Sequence, residues 1–267
     1  MRFDTEAERA GFQRREVVRH RAGVRTVTAD SVAEEMPVAL VFNGISHAVM
    51  MVTPRELEAF ALGFALTEGV IASAADVYDM EVRQHEASAE VEVTISQQSF
   101  MQMKQQRRSL AGRSGCGVCG VESIELLDLQ PERMEASSAI ADLPAAVARA
   151  ARELGQHQSL MRETGGVHAA AWCTPDGAVL RACEDVGRHN ALDKLIGHLA
   201  QEGVDLRAGF VFMSSRASYE LVRKAARMNI PMLATISAPS SLAIDIATQA
   251  GLKLVSFCRQ DGCTEYT

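Results

Sequence analysis

Apolar positions along the chain fall into short, regularly spaced runs. Between residues 38 and 52 the run VALVFNGISHAVMMV reads as two strands broken by Asn43-Gly44. Both residues tolerate positive φ, so the break predicts a tight hairpin. REVVRH and VRTVTA upstream alternate loosely and read as edge strands. After the hairpin, Thr53-Pro54-Arg55-Glu56 has the form of a helix start, with Thr53 as cap, Pro54 in the first turn and Glu56 closing a capping box. Leu57, Phe60, Ala61 and Phe64 follow at helical spacing, with Gly69 as the stop. VYDMEVRQ and AEVEVTIS alternate with period two and predict a second strand pair. A helix from Ser99 to Leu110 then leads into a glycine-rich loop.

The second half has a different rhythm. PERMEASS, residues 131–138, reads as a linker, and Asp142-Leu-Pro144 opens an alanine-rich helix to about Gly155. GGVHAAAWC and AVLRAC form a further hairpin across Thr-Pro-Asp-Gly. Helical and strand segments then alternate: 189–200 helical, AGFVFMS extended, 219–228 helical, IPMLATIS extended, 242–249 helical, LKLVSFC extended. The order β-β-α-β-α-β-α-β predicts parallel pairing through right-handed crossovers and a three-layer α/β sandwich. The expected division is a strand-rich α+β unit over 1–135 and an α/β unit over 136–267.

Ligands of open α/β sheets sit beyond the carboxyl ends of the strands. Those ends carry Ser214-Ser215-Arg216, Ser237-Ala238-Pro239-Ser240-Ser241 and Cys258-Arg259. Serines at a strand-to-helix junction either cap the helix or receive an anion. Two such junctions and two arginines bring anion binding level with simple capping. Glu184-Asp185-Val186-Gly187-Arg188-His189-Asn190 is the densest polar cluster, and its plain reading is a helix cap with salt bridges. His47 and His85 have no partner at metal-ligand spacing and read as structural or solvent-facing. The deaminase zinc pattern, His-x-Glu followed by Pro-Cys-x-x-Cys, is not in the sequence.

Composition narrows the classes. With 267 residues, 47% hydrophobic and 23% charged, the chain has an ordinary globular balance. A net charge of -7 argues against broad nucleic-acid binding while allowing a local basic patch. The charged first 20 residues lack the apolar stretch of a signal peptide. No apolar run reaches the ~18 residues of a membrane span. A cytoplasmic protein with reduced thiols is the expectation. Of the cysteines at 116, 119, 173, 183, 258 and 263, those at 173, 183 and 258 lie in apolar strand runs and read as buried.

Cys116 and Cys119 are different. They stand in GRSGCGVCG, preceded by Lys104, Arg107, Arg108 and Arg113, with no acid between Lys104 and Val121. Cations favour thiolate, and thiolate is the form that attacks another sulfur. Local chemistry leaves open a persulfide-carrying nucleophile, half of a zinc site, a thioredoxin-like pair and a structural loop. A zinc site lacks a second Cys-x-x-Cys, and the glycine setting weakens a thioredoxin-like pair.

Taken together, CGVCG at 116–120, TGGVHA at 164–169, EDVGRHNALDK at 184–194, SSRASYE at 214–220, ISAP at 236–239, the late Phe-Cys-Arg and the Tyr-Thr at 266–267 resemble the FdhD/NarQ family of formate dehydrogenase accessory sulfurtransferases. The resemblance runs from about residue 35 to the end. It implies a cytidine-deaminase-like second unit without the deaminase zinc ligands, and a cytoplasmic homodimer. It implies that a cysteine desulfurase loads Cys116 with a persulfide. The sulfur then passes to the molybdenum (or tungsten) bis-molybdopterin guanine dinucleotide cofactor for the formate dehydrogenase apoenzyme. GDP- or GMP-like nucleotides would mimic that cofactor, and no metal is bound directly by the chain. By position, Cys119 is a helper of Cys116. Phe257, Cys258, Arg259, Gln260, Asp261 and Gly262 match the cofactor segment, where Asp261 is an unexpected acid. Ser214, Ser215, Arg216 and Ser237 are further candidate contacts. A non-catalytic cofactor carrier and a zinc-stabilised binding module are the alternatives.

Overall fold

The computed structural model describes residues 10–109, 133–134 and 140–267. Cys116 and Cys119 lie outside the described residues.

β1 (Phe12–Arg21) and β2 (Val24–Ala33) pair with each other as an antiparallel ribbon. β3 (Met36–Phe42) and β4 (Ile45–Val52) form the expected hairpin, with Asn43 at φ 46° and Gly44 at φ 77°. These two positive values are what a two-residue turn of matching twist requires. β5 (Val77–Gln84) and β6 (Ala89–Ile95) complete a four-stranded sheet in the order β4-β3-β6-β5, with β3 and β6 parallel. Alternate residues Val38, Leu40, Phe42, Val91 and Val93 point inward, as period-two strands with one buried face must.

Helix α1 (Leu57–Thr67) is buried nearly all round, because it is packed on both sides. It begins later than the capping-box pattern predicts. Glu56 occupies the cap position in a left-handed conformation, φ 55°, without a side-chain cap bond. The polar groups of Thr53 are engaged across the fold. Its N–H donates to Asp185 (3.0 Å), its Oγ1 accepts from the Val186 N–H (3.1 Å), and its carbonyl accepts from Lys194 (2.9 Å). A distant buried partner has displaced the local cap. α2 (Gln97–Ser109) follows β6.

The second sheet has the order β12-β11-β10-β9-β7-β8. Its strands are β7 (His168–Cys173), β8 (Val179–Asp185), β9 (Phe210–Met213), β10 (Met232–Thr235), β11 (Lys253–Ser256) and β12 (Thr264–Glu265). β9, β10 and β11 are parallel, as expected. The sheet as a whole is mixed. β7 runs antiparallel to both β8 and β9, so the connection from β8 to β9 crosses over β7. The short edge strand β12 and the helix α4 (Ser159–Thr164) were not anticipated from the sequence.

Helices α5 (Arg188–Gln201), α6 (Tyr219–Arg227) and α7 (Ser241–Ala250) cover one face of this sheet, and α3 (Leu143–His157) covers the other. Alternation again assigns the residues. Val211, Met213 and Leu233 face α5–α7, while Phe210, Phe212 and Met232 face α3. The core beneath α5–α7 continues without a break through α1 into the first sheet. At the α1–α5 crossing, a Cβ on Gly63 would lie 1.8 Å from the Asp193 carbonyl, and one on Gly197 would lie 1.8 Å from the Ala59 carbonyl. Only hydrogen at these two positions permits so close an approach.

Among the described residues, no helix is long and apolar enough to cross a membrane.

Candidate functional site at the carboxyl edge of the second sheet

The EDVGRHNALDK segment divides between structure and surface. Glu184 accepts from the N–H groups of Leu160 and Met161, both at 2.8 Å, and so anchors the start of α4. Asp185 is fully buried and pairs with Lys194 at 2.7 Å. It also accepts from the Gly187 N–H (2.8 Å) and the Asn190 amide (2.9 Å), while the same amide donates to the Met51 carbonyl (2.7 Å). With Thr53 this is a sealed knot between the two sheets. A second knot joins α1, α5 and α6, where Lys224 meets both oxygens of Asp193 at 2.9 Å, Thr67 at 2.8 Å and Glu68 at 2.8 Å. Every partner in these knots is another part of the protein, so they join elements and do not face a substrate.

Arg188 and His189 start α5 at the sheet edge and are only partly covered. Antiparallel pairing of β7 with β8 puts His168 opposite Asp185. Burial, then the charges of Arg188 and His189, push the His168 imidazole below its usual range, against the pull of Asp185. His189 lies 3.8 Å from Glu220 and 3.5 Å from the Ser218 hydroxyl. Burial pushes the Glu220 carboxyl up, but hydrogen bonds from His189, its own backbone and Ser218 outweigh this and hold it at about 2.

The three parallel strands end on the same edge, and their exit loops are stitched together. Ser214 completes the β7–β9 ladder, its N–H donating to the Ala169 carbonyl (2.9 Å) and its hydroxyl accepting from the Ala169 N–H (2.8 Å). The Ser237 N–H donates to the Ser215 carbonyl (3.2 Å), and the Phe257 N–H reaches the Ser237 carbonyl (3.5 Å). Phe257 itself is 46% exposed and has φ 55°. A left-handed backbone under a bulky side chain is costly, and here it turns an aromatic ring out to solvent where β11 ends. The turn that follows is closed by the Arg259 N–H donating to the Gly262 carbonyl at 2.8 Å. Arg259 Nη1 donates to the carbonyls of Ile236 and Cys258, bracing the neighbouring exit loop. The edge therefore offers an exposed ring, hydrogen-bonding loops and the cations of Arg188, Arg216 and Arg259. Such a set suits a planar base carrying phosphates. A separate concavity lined by Asp142, Lys253 and Glu265 lies at the opposite end of β11.

The FdhD/NarQ family model matches residues 33–267. The chain is 59% identical over 271 residues to a protein of Burkholderia mallei named "Sulfur carrier protein FdhD", covering 100% of this chain and 99% of that one. It is 59% identical over 266 residues to a protein of the same name from Chromobacterium violaceum, covering 99% and 98%. The chain belongs to the FdhD/NarQ family. A crystal structure of a Desulfotalea psychrophila protein, provisionally named a formate dehydrogenase accessory protein, shares its fold with TM-score 0.71. That structure is 23% identical, and the match covers 96% of each chain.

Within this FdhD/NarQ chain, the edge brings together Ser214, Ser215, Arg216, Ser237 and the whole of 257–262. Ser215 and Cys258 are buried, whereas Arg216, Phe257, Arg259, Gln260, Asp261 and Gly262 are exposed. Burial pushes the Cys258 thiol up to about 12, outweighing the Thr235 hydrogen bond, so this sulfur is inert packing at neutral pH. Cys173 and Cys183 are buried too, as their strand runs imply, and burial raises both thiols. The sequence reading did not place His168, Arg188 and His189 at this edge. The register of the β7–β8 hairpin is the signal that could have done so.

Proposed function

We propose that the chain is a sulfurtransferase that carries sulfur as a persulfide on Cys116 to the guanine dinucleotide form of the molybdenum cofactor. The single observation that carries the reading is the carboxyl edge with Phe257 turned out beside Ser237 and Arg259. The relatives' name, sulfur carrier protein, and the Cys-Gly-Val-Cys-Gly loop support it. In this reading Phe257 stacks on guanine, and the polypeptide of 257–262 lies along the nucleotide. Arg216 and the Arg188–His189 corner meet pyrophosphate oxygens. Ser214 and Ser215 shape the edge from behind, and Ser237 presents its loop.

The chemistry is two sulfur exchanges. Cys116 thiolate attacks the outer sulfur of a cysteine desulfurase persulfide. The desulfurase cysteine leaves as thiolate, and Cys116 now bears the outer sulfur. The acceptor then supplies an electron pair to that outer sulfur, the S–S bond breaks and Cys116 leaves as thiolate, which the cations that precede it in the sequence favour. Cys119 is assigned as a helper of Cys116. The product serves the formate dehydrogenase apoenzyme. The working form is a cytoplasmic homodimer.

The test is mass spectrometry of the Cys116–Cys119 peptide after incubation with a cysteine desulfurase and cysteine. A mass gain of one sulfur on Cys116 is expected. It should be lost in Cys116→Ala together with dehydrogenase activation, while GDP binding persists. Full activation by Cys116→Ala would refute sulfur carriage and favour a non-catalytic cofactor carrier. Stoichiometric zinc that disappears with either loop cysteine would favour a zinc module.

A further inference from the structure

Away from the carboxyl edge, three potential metal ligands converge from three elements. Glu56 comes from the entrance to α1, Cys183 from the middle of β8 and His198 from the last turn of α5. Glu56 Oε1 lies 2.9 Å from His198 Nε2 and 3.9 Å from Cys183 Sγ, and the three donor atoms all lie within 4.8 Å of one another. We propose that Glu56, Cys183 and His198 form a zinc site that clamps α1, α5 and β8 together, with water in the fourth position.

The donor set has the right chemistry. Zinc takes thiolate, imidazole and carboxylate in tetrahedral geometry, with bonds of about 2.0 to 2.3 Å. Those lengths place donors about 3.3 to 3.6 Å apart. The Glu56–His198 and Glu56–Cys183 distances of 2.9 and 3.9 Å lie on either side of that range, and the Cys183–His198 distance is within 4.8 Å, so the side chains rotate to close on one ion. A thiolate and a carboxylate also balance the two charges of the ion.

Glu56 and His198 make a full hydrogen bond at 2.9 Å, but that contact gives no reason for Cys183 to join them. A thiol 3.9 Å from a carboxylate oxygen makes a poor hydrogen bond. Glu56 holds a left-handed backbone, φ 55°, although its side chain makes no cap hydrogen bond. That strain turns its carboxylate towards Cys183 and His198. Strain of this kind persists where a local function requires it. Cys183 is buried, but Glu56 and His198 keep 21% and 22% side-chain exposure, which leaves the ion a way in. Arg55, Lys194 and Arg181 surround the group. Lys194 is itself neutralised by Asp185. Binding forms Zn–S, Zn–N and Zn–O bonds; the thiol proton leaves to solvent, and the proton held between His198 Nε2 and Glu56 leaves with it or moves to His198 Nδ1. No electron is transferred.

The test uses the full chain with Cys116→Ser and Cys119→Ser, so that the loop cannot contribute. The protein is stripped with chelator, loaded with zinc chloride, desalted and analysed by elemental mass spectrometry. One zinc per chain and a raised melting temperature are expected. Cobalt loading should give a thiolate-to-metal charge-transfer band. Cys183→Ser, and separately His198→Gln, should abolish zinc retention, the thermal shift and the band while the far-ultraviolet circular dichroism stays native. Zinc at background in the parent protein, or undiminished retention in both variants, would overturn the site. The outcome is independent of the sulfur-transfer reading, because the loop cysteines are already removed.

Discussion

Lys194→Met is the sharpest test of how the two sheets are joined. Lys194 is completely buried, pairs with the equally buried Asp185 at 2.7 Å and donates to the Thr53 carbonyl at 2.9 Å. Methionine has a similar length and fills the space, so little cavity forms. What remains is a buried Asp185 carboxylate without its cation. Breaking a buried pair from one side costs about 3–5 kcal/mol. Three N–H donors stay on Asp185, from Thr53, Gly187 and Asn190, which puts the expected loss near ~3 kcal/mol, the lower end of that range. At about 2–4 °C per kcal/mol for a chain of this size, the melting temperature should fall by roughly 6–12 °C. Urea unfolding followed by the fluorescence of Trp172, the single and buried tryptophan, measures it directly. The double variant Asp185→Asn/Lys194→Met removes both charges and should lose clearly less than the sum of the two single changes. A Lys194→Met protein within about 1 kcal/mol of the parent, or strict additivity in the double variant, would refute the charge-pair reasoning.

Three further outcomes follow from other parts of the fold. Gly197→Ala puts a Cβ 1.8 Å from the Ala59 carbonyl and should destabilise by about 3 kcal/mol or more, the upper end for overpacking, whereas Gly155→Ala, with nothing within 4 Å, should stabilise by about 0.5–1 kcal/mol in thermal melts. Phe257→Gly should relieve the left-handed strain and raise stability by about 1 kcal/mol while weakening GDP binding in calorimetry; unchanged GDP affinity would remove the ring from the proposed nucleotide contact. Glu68 is pushed up by burial but held at about 2 by Lys224 and Arg223. Its folded value lies below its unfolded one, so its stabilisation is full above about pH 4.5 and drains away as the pH falls towards 2. Asp193, which burial raises, works in the opposite sense and blunts the loss. Glu68→Gln should therefore flatten the acid limb of a stability-against-pH curve.

Local pattern carried most of the elements. Alternation in VYDMEVRQ and AEVEVTIS, the Asn43-Gly44 turn and the apolar rhythm of the second half each place a strand or helix where the structure has one, because period and turn chemistry are properties of neighbouring residues. The failures are non-local. Thr53-Pro54-Arg55-Glu56 has every feature of a helix cap, yet Asp185, Val186 and Lys194, more than 100 residues away, take the groups of Thr53. The β7–β8 hairpin was expected, but which of its strands lies beside β9 depends on which strand the chain passes over, and no local residue records that. The candidate site shows the same split. The strand-end serines and Arg259 were legible from order alone, and Phe257 from the family resemblance. The gathering of His168, Arg188 and His189 needed the hairpin register. The Glu56–Cys183–His198 group needed three elements packed together. By itself the sequence determined most of the elements, the family and the position of the Cys116–Cys119 pair, since these are written in spacing and residue type. Only the tertiary structure decided which polar groups are buried as joints and which face solvent, because burial and pairing are properties of contacts between distant segments.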